Sequence, residues 1–392
     1  MKEAYIVTGF RSAVGKSKRG GFRNYRPDDL AADVIKGLIA SVPELDPSRV
    51  DDLIVGCAVP EAEQGMQMAR WISLLSLPQN VSGVTVNRYC GSGLETIAMG
   101  VAKVKSGMAD CIIAGGTESM SMVPIMGHKV SLNYKLASEH PDWYLGMGLT
   151  AEEVAADYNI SREDMDEFSY HSHMKALNAI KNGYFEDQIV PVEVEEVLIG
   201  AGGERIAKKH VVKVDEGPRA DTSMEALAKL RPVFRNKGTV TAGNSSQTSD
   251  GAAFVLIMSE AMVKELNLEP KLRMAGYATE GIDPRIMGMG PIKAVPKVLK
   301  QTGMNLNDID IVELNEAFAS QSLAVIRDLG IDPARVNPNG GAISLGHPLG
   351  CTGGKLTVQL MHELARTNKK YGMVTACVGG GQGVAGIYES LQ

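Results

Sequence analysis

A repeated alternation of short β-branched runs and amphipathic helical segments most constrains how this sequence can fold. In the first part of the chain, strand-like runs occur at 5–8, 53–55, 83–86 and 111–114, with helical spacing of apolar residues between them. After residue 270 strand-like segments return at 271–277, 309–313 and 373–377, and helical segments at 294–299, 317–329 and 354–366. Strands that alternate with helices predict an α/β fold with largely parallel strand pairing.

Two segments look like distant copies of each other. The helical segment 91–106 leads into an apolar strand and then Gly115-Gly116, and the helical segment 354–366 leads into an apolar strand and then Gly379-Gly380. We infer a duplicated α/β half, with the residues from about 121 to 244 inserted between the copies.

The inserted region carries an uneven charge. Residues 139–196 contain 14 Asp or Glu and three Lys or Arg, whereas residues 205–237 contain nine Lys or Arg and four acids. The acidic stretch is typical of solvated helix faces. The basic stretch is compatible either with a solvated surface or with a site for phosphate groups on an otherwise acidic protein.

Length and composition exclude several classes of protein. A chain of 392 residues that is 44% hydrophobic can bury a large core and favours two or three domains. The net charge of −6 argues against a nucleic-acid partner, and no run approaches the roughly 20 apolar residues of a membrane span. The sequence begins without a signal-peptide pattern, and five widely spaced cysteines predict free thiols and no metal site, so we expect a cytoplasmic location.

Cys90 is the first candidate for chemistry. A strand-like run ends at Val86 and a helical pattern begins just after Cys90, so the thiol is expected at a strand-to-helix corner. Backbone N–H groups and the helix dipole favour a thiolate at such a place. The segment is compatible with a nucleophile or with a buried cysteine at the start of a packed helix.

A cysteine nucleophile needs a base, and His347 is the candidate among seven histidines. It lies in a glycine-rich loop beside Pro348, which suits a general base, a donor to an oxyanion, or a structural histidine. The other histidines lie in charged or polar stretches and are expected at the surface; they are His128, His140, His171, His173, His210 and His362.

Two more strand ends carry candidate groups. Cys377 ends a strand that runs into Gly379, Gly380 and Gly381, and such a loop presents N–H groups to an oxyanion while the thiol can carry a proton. Asn315 also follows a strand and precedes a helix, where sites of α/β proteins form.

These segments together resemble the thiolase family over essentially the whole chain. Seven matching motifs occur in order, at 87–93, 115–121, 147–152, 241–246, 315–318, 346–350 and 377–383. The departures are small: Ala13 stands where the family often has Pro, and Tyr89 stands where Leu or Gln is usual.

The resemblance implies a five-layered α/β/α/β/α fold made of two duplicated halves with an inserted loop domain. It implies an N-terminal domain at 1–262, with its core half at about 1–120 and 245–262 and the loop domain at about 121–244. A C-terminal domain is implied at 268–392.

By the same resemblance, Cys90 is the acyl-accepting nucleophile, His347 activates it, and Cys377 is the acid and base at the substrate α-carbon. Asn315 holds a water of the first oxyanion hole, and the N–H groups of Cys90 and Gly379 form the second. The positions that match coenzyme A contacts are Arg219, Ser246, Met147, Phe234, Ala317 and Phe318.

The implied activity is CoA-dependent thiolysis of 3-oxoacyl-CoA in fatty acid β-oxidation. CoA is a co-substrate and no cofactor is bound permanently. The expected partners are acyl-CoA substrates, a second copy or three further copies of the chain, and other β-oxidation enzymes. Residues 121–147 resemble the degradative branch more than the branch that forms acetoacetyl-CoA. Cys377 argues against a ketosynthase-like condensing enzyme, and the presence of both Cys90 and His347 argues against an inactive CoA-binding module.

Overall fold

The computed structural model describes residues 2–392, which form one large sheet, a small two-stranded sheet and twelve helices. The strands are β1 (Ala4–Arg11), β2 (Gly15–Lys16), β3 (Asp52–Gly56), β4 (Ser82–Val86), β5 (Cys111–Ser119), β6 (Val192–Ile199), β7 (Arg205–Val212), β8 (Ser249–Ser259), β9 (Leu272–Gly281), β10 (Ile311–Leu314), β11 (Tyr371–Val378) and β12 (Gln382–Ser390). The helices are α1 (Pro27–Ala40), α2 (Met68–Ser76), α3 (Ser92–Lys105), α4 (Tyr134–Glu139), α5 (Met147–Asp157), α6 (Arg162–Lys181), α7 (Met224–Ala228), α8 (Glu260–Glu265), α9 (Pro291–Thr302), α10 (Ala319–Leu329), α11 (Ala342–Leu345) and α12 (Thr352–Thr367). Within this range no helix combines the length and the apolar character that a membrane crossing requires.

The large sheet consists of two halves with the same internal order. Its strands follow the order β10-β11-β12-β9-β1-β8-β5-β3-β4, and the halves meet where Ile6 of β1 pairs with Leu272 of β9. The first half runs outward as β1-β8-β5-β3-β4 and the second as β9-β12-β11-β10, with Val336 bridged to Val312 where a fifth strand would lie. The sheet therefore shows the duplication that the sequence indicates.

Three buried clusters divide the molecule into layers. The middle cluster contains α3 and α12 side chains packed between the two half-sheets, including Leu94, Ile97 and Leu360. One outer cluster covers the first half-sheet with α1 and α2, and the other covers the second half-sheet with α9 and α10. Each buried aliphatic side chain contributes about 1.5–3 kcal/mol. The arrangement is helix, sheet, helix, sheet, helix, and it confirms the predicted five-layered α/β/α/β/α fold.

The expectation of largely parallel pairing was wrong. Only β3–β4, β3–β5 and β10–β11 pair in parallel, and the remaining neighbours in the large sheet are antiparallel. The reason is connectivity: β12 follows β11 through the short glycine turn 379–381. A parallel partner would need a crossover segment, usually a helix, that returns the chain to the end of the sheet where β11 begins. Likewise β8 enters antiparallel between β1 and β5 after the inserted region.

The residues between β5 and β8 contain helices α4–α7 and the β6–β7 hairpin. The acidic and basic stretches of this region partly neutralise each other there. Lys209 of β7 binds Glu193 of β6 with an Nζ–Oε1 distance of 2.7 Å, and Arg235 binds Glu153 of α5. Some of the charge asymmetry seen in the sequence is therefore paired locally, in partly or fully exposed ion pairs that contribute little stability.

The two central helices approach each other at glycines. A Cβ atom placed on Gly93 of α3 would lie 2.7 Å from the backbone nitrogen of Gly354, and one placed on Gly353 of α12 would overlap the backbone nitrogen of Leu94. Larger residues here would push the helix N-termini apart, and the segments that precede both helices would separate with them.

Replacement of Gly353 by Ala is expected to destabilise the protein by about 3 kcal/mol or more, because the rigid backbone of α3 has no room for the added methyl group. Urea unfolding of the wild type and the variant measures this loss. Gly281→Ala is the control, since the nearest atom to its added Cβ would be Gly381 O at 4.0 Å, and it is expected to stay within about 0.5 kcal/mol of the wild type. Equal stability of the two variants would contradict the close packing of α3 and α12.

Candidate active site

Cys90 lies at the corner between β4 and α3. β4 ends at Val86, a 3-10 turn covers Tyr89–Gly91, and α3 begins at Ser92. Tyr89 has a φ of 43°, in the left-handed region that bulky residues seldom adopt. Residues held in such strained conformations cluster at functional sites. The Ser92 hydroxyl accepts from the Arg88 N–H at 2.8 Å and donates to the Tyr89 carbonyl at 2.6 Å, which holds the corner in this shape.

Cys90 is a neutral thiol in the free protein. Burial raises the pKa of Cys90 to about 12, although the N–H groups of Gly379 and of Cys90 itself donate to the sulfur, and the nearby Glu118 carboxylate raises it as well. The backbone donors lower the pKa, as the sequence led us to expect, but the loss of hydration outweighs them. The sulfur needs a base before it can act as a nucleophile.

His347 is held from both sides in a buried loop between α11 and α12. Its Nδ1 lies 2.6 Å from Thr352 Oγ1, and its Nε2 lies 3.3 Å from Asn315 Nδ2. Burial lowers the pKa of His347 to about 3, and the positive charge of Lys355 lowers it further. The ring is therefore neutral at physiological pH and able to accept a proton.

Cys377 lies at the end of β11 with its side chain fully buried. Burial raises the pKa of the Cys377 thiol above its usual range, and a charge on Cys90 raises it further. The turn 89–91 that carries Cys90 packs against β11, since a Cβ atom on Gly91 would lie 3.0 Å from Cγ2 of Val378. Gly379, two residues later, directs its N–H to the Cys90 sulfur. The turn that follows Cys377 therefore brings one backbone N–H group to the Cys90 sulfur.

Asn315 completes this group of residues. Its backbone N–H donates to Thr375 O at 2.9 Å, which fixes the end of β10 against β11. Its Oδ1 is buried and has no hydrogen-bond partner among residues 2–392. A buried amide oxygen of this kind requires a partner such as water or a ligand. The 3-10 turns at 89–91 and 349–351 also contact each other, so the structure brings together Cys90, His347, Asn315, Cys377 and Gly379.

Two buried glutamates support these loops, and the sequence alone did not single them out. Glu118 accepts from the N–H groups of Ala58 and Gly350, at 2.8 and 2.7 Å, and so ties the segment after β3 to the loop that follows His347. Glu316 accepts from Ser172 Oγ at 2.7 Å and Asn337 Nδ2 at 2.8 Å. Burial raises the pKa of both carboxyl groups. The sequence could have pointed to both glutamates, because Glu118 lies in the Gly-Gly-Thr-Glu-Ser motif and Glu316 directly follows Asn315.

Five of the six residues expected to contact CoA form one cluster beside the thiols. The Phe234 and Phe318 rings meet edge to face with centroids 6.1 Å apart, and the Ser246 N–H donates to Ala317 O at 2.9 Å. Met147 begins α5, and its sulfur would lie 3.8 Å from a Cβ on Gly379. The cluster therefore borders the glycine turn that follows Cys377.

Arg219, the sixth residue, has different partners. Its guanidinium binds Asp221 with an Nη2–Oδ2 distance of 3.0 Å, and its side chain is 60% exposed. Its backbone N–H donates to Nδ1 of His173 at 3.2 Å. His173 is buried, so the expectation that this histidine lies at the surface was wrong; it faces inward from α6, where it anchors the Arg219 segment.

No group of three or more His, Cys, Asp or Glu side chains between Lys2 and Gln392 is arranged to hold a metal ion.

Comparison with known proteins gives a consistent result. The family model for the thiolase N-terminal domain matches residues 4–261, and that for the thiolase C-terminal domain matches residues 268–390. The chain is 52% identical over 390 residues to the 3-ketoacyl-CoA thiolase of Bacillus subtilis, covering 99% of this chain and 100% of the relative. It is 41% identical over 413 residues to the 3-oxoadipyl-CoA/3-oxo-5,6-dehydrosuberyl-CoA thiolase of Escherichia coli, covering 100% of both chains. The crystal structure of the Bacillus anthracis acetyl-CoA acetyltransferase is similar with a TM-score of 0.90 and 38% identity, covering 100% of this chain and 99% of the other.

The neutral state of His347 predicts a pH-dependent stability contribution. The folded protein holds this ring neutral down to about pH 3, whereas the unfolded chain binds the proton near the ordinary pKa of 6.5. The unfolded state therefore binds more protons below that pH, and the free energy of unfolding falls with decreasing pH by up to about 1.4 kcal/mol per pH unit for this group. The His347→Gln variant has no titrating side chain at this position, so this pH-dependent loss of stability is absent from it.

Urea unfolding of wild type and His347→Gln between about pH 7 and about pH 5 measures the effect. Relative to the wild type, the variant is expected to gain stability as the pH falls. Thr357→Val, which changes a buried side chain without a titrating group, is the control and is expected to show a constant difference. A constant difference for His347→Gln would contradict a neutral, buried His347.

Proposed function

The chain belongs to the thiolase family, and we propose that it catalyses thiolysis of 3-oxoacyl-CoA by CoA, which yields acetyl-CoA and an acyl-CoA two carbons shorter. The observation that carries this proposal is that the turn bearing Cys90 contacts both β11, which bears Cys377, and the turn that follows His347, with all three side chains buried. The 52% identity to a 3-ketoacyl-CoA thiolase supports the degradative reaction, as in fatty acid β-oxidation.

In the first half-reaction, the Cys90 thiol transfers its proton to Nε2 of His347, and the sulfur attacks the 3-keto carbon. The resulting oxyanion receives hydrogen bonds from the His347 N–H and from a water held by Asn315, whose unpartnered Oδ1 supports this role. Breaking the Cα–Cβ bond restores the carbonyl and expels the enolate of acetyl-CoA. Cys377 donates its proton to the enolate carbon, and acetyl-CoA leaves.

In the second half-reaction, the CoA thiol gives its proton to the Cys377 thiolate and attacks the acyl-Cys90 thioester. The oxyanion now receives hydrogen bonds from the backbone N–H groups of Cys90 and Gly379. The orientation of both groups toward the Cys90 sulfur supports this assignment. Cys90 leaves as a thiolate and recovers its proton from His347, so every proton is returned and the enzyme is regenerated.

CoA is a co-substrate in this scheme, and no resident cofactor is required, because the thiols and the oxyanion donors account for each charge that develops. The cluster of Met147, Phe234, Ala317, Phe318 and Ser246 would bind the pantetheine arm beside Gly379. Arg219 would bind a phosphate group of CoA after exchanging its contact with Asp221.

We also propose that two copies of the chain associate through the β4 edge of the large sheet. β4 pairs with β3 on one side only, and an unpaired edge strand invites a partner. Beside it, α2 exposes Trp71, Leu74 and Leu75, each 44% exposed, and such an apolar patch is typical of an interface.

Sedimentation velocity tests this association. The wild type is expected to sediment as a dimer or a dimer of dimers, and Trp71→Glu as a smaller species, because a buried unpaired carboxylate opposes the contact. Met108→Glu, which changes a residue that is 78% exposed at the far end of α3, is the control and is expected to sediment like the wild type. A wild-type monomer would refute the proposed interface.

A cytoplasmic location is part of the proposal, supported by five free buried cysteines, which suit a reducing compartment. Fractionation of cells that express the protein tests this, and recovery from an extracytoplasmic fraction would contradict it.

Thiolysis rates for acetoacetyl-CoA and a series of longer 3-oxoacyl-CoAs test the choice of substrate. We expect turnover to persist for chains longer than four carbons, with Cys90→Ala as the inactive control. A rate that falls to zero beyond four carbons would instead favour an acetyl-CoA acetyltransferase, the activity named for the similar Bacillus anthracis structure.

A further inference from the structure

Thr352 is the first residue of α12, and its side chain is buried directly behind the imidazole of His347. Its Oγ1 lies 2.6 Å from Nδ1 of His347 and 2.9 Å from the carbonyl oxygen of Pro348. The hydroxyl thus bridges the histidine ring and the backbone of the loop that carries it.

The number of available protons decides the direction of these hydrogen bonds. A hydroxyl group has one proton, whereas a carbonyl oxygen can only accept. When the Thr352 hydroxyl donates to Pro348 O, its remaining lone pair accepts from an N–H at Nδ1 of His347. The arrangement in which Thr352 keeps its hydrogen bond to Pro348 O, which also accepts from the Cys351 N–H at 3.0 Å, therefore has the ring proton on Nδ1.

The other side of the ring leads to the same assignment. Nε2 of His347 faces the amide nitrogen of Asn315 at 3.3 Å, and an amide NH₂ group donates. Nε2 is then the acceptor nitrogen. Two neighbours, Asn315 directly after β10 and Thr352 in α12, thus favour one tautomer.

We propose that Thr352 is a positioning residue that holds His347 in its Nδ1–H tautomer and so keeps Nε2 unprotonated, able to exchange its contact with Asn315 for the proton of Cys90. This inference rests on the proposed function of Cys90 as the nucleophile. After the transfer, the imidazolium donates from Nδ1 to Thr352 and from Nε2 to the oxyanion, so the ring changes from base to donor without turning.

A neutral hydroxyl differs from a carboxylate in this position. A carboxylate behind a catalytic histidine stabilises the imidazolium, whereas a hydroxyl orients the ring with less stabilisation of the charge. The buried ammonium of Lys355, one turn further along α12, also disfavours a charged ring. Thr352 therefore sets the direction of proton transfer, and His347 readily returns the proton when Cys90 leaves the acyl group.

Three variants separate this role from a structural one. Thr352→Val keeps the size of the side chain and removes the hydroxyl, and Thr352→Ser keeps the hydroxyl. Thr357→Val is the matched control, because Thr357 is buried on the same helix, donates to Gly353 O at 2.8 Å and lies 3.0 Å from the Tyr388 hydroxyl.

The measurements are kcat and KM for thiolysis, and the rate at which iodoacetamide alkylates Cys90 without substrate, followed by peptide mass spectrometry. Thr352→Val is expected to lower kcat by about 10- to 100-fold with little change in KM, and to slow Cys90 alkylation at neutral pH. Thr352→Ser is expected to restore most of both rates, and Thr357→Val to keep both.

Wild-type kcat and alkylation rate in Thr352→Val would overturn the inference, as would equal losses in Thr352→Ser and Thr352→Val. If the wild type itself lacks thiolysis, the proposed function fails, and the alkylation rates still decide whether Thr352 controls the base. Should Thr352→Val not fold, Thr352→Ala carries the same comparison.

Discussion

The close contact between the N-termini of α3 and α12 is the constraint on which the site depends. These helices lie in the middle layer, one contributed by each half of the duplicated fold, and glycines at 93 and 353 let their backbones meet. Cys90 precedes one helix and His347 precedes the other. Residues more than 250 positions apart in the sequence are thereby placed in one buried cluster, and Glu118 accepts hydrogen bonds from the two adjoining loops.

Burial sets the protonation states of Cys90, His347 and Cys377 in that cluster. Both thiols are held as neutral acids and the imidazole as a neutral base, because a charge on any of them would lose its hydration. Charge develops only when a substrate is present and the fixed N–H donors can receive it. The same low polarity that keeps the Cys90 thiol protonated in the free protein strengthens each hydrogen bond to an oxyanion.

The sequence predicted the elements and the main candidates because these depend on local patterns. The Cys90 corner follows from a strand that ends at Val86 and a helix that begins at Ser92, and the duplication follows from two similar helix-strand-glycine segments. Strand direction was mistaken because β12 follows β11 through a short turn, and because β8 returns from the inserted region antiparallel to its neighbours β1 and β5. The burial of His173 and the neutral state of Cys90 depend on tertiary packing that no local pattern encodes. Thr352 went unnoticed since its role requires the distance to the ring of His347.

The central claim is that two neighbouring sulfurs perform separate tasks, one carrying the acyl group and the other a proton. Mass spectrometry of Cys377→Ala after mixing with p-nitrophenyl acetate, an activated acyl donor whose leaving group needs no proton from Cys377, tests it most directly, with Cys111→Ala as the control for loss of another buried thiol. The Cys90 peptide is expected to gain an acetyl group in both variants, while only Cys111→Ala is expected to complete thiolysis. An unmodified Cys90 in Cys377→Ala beside an acetylated one in the control would contradict it.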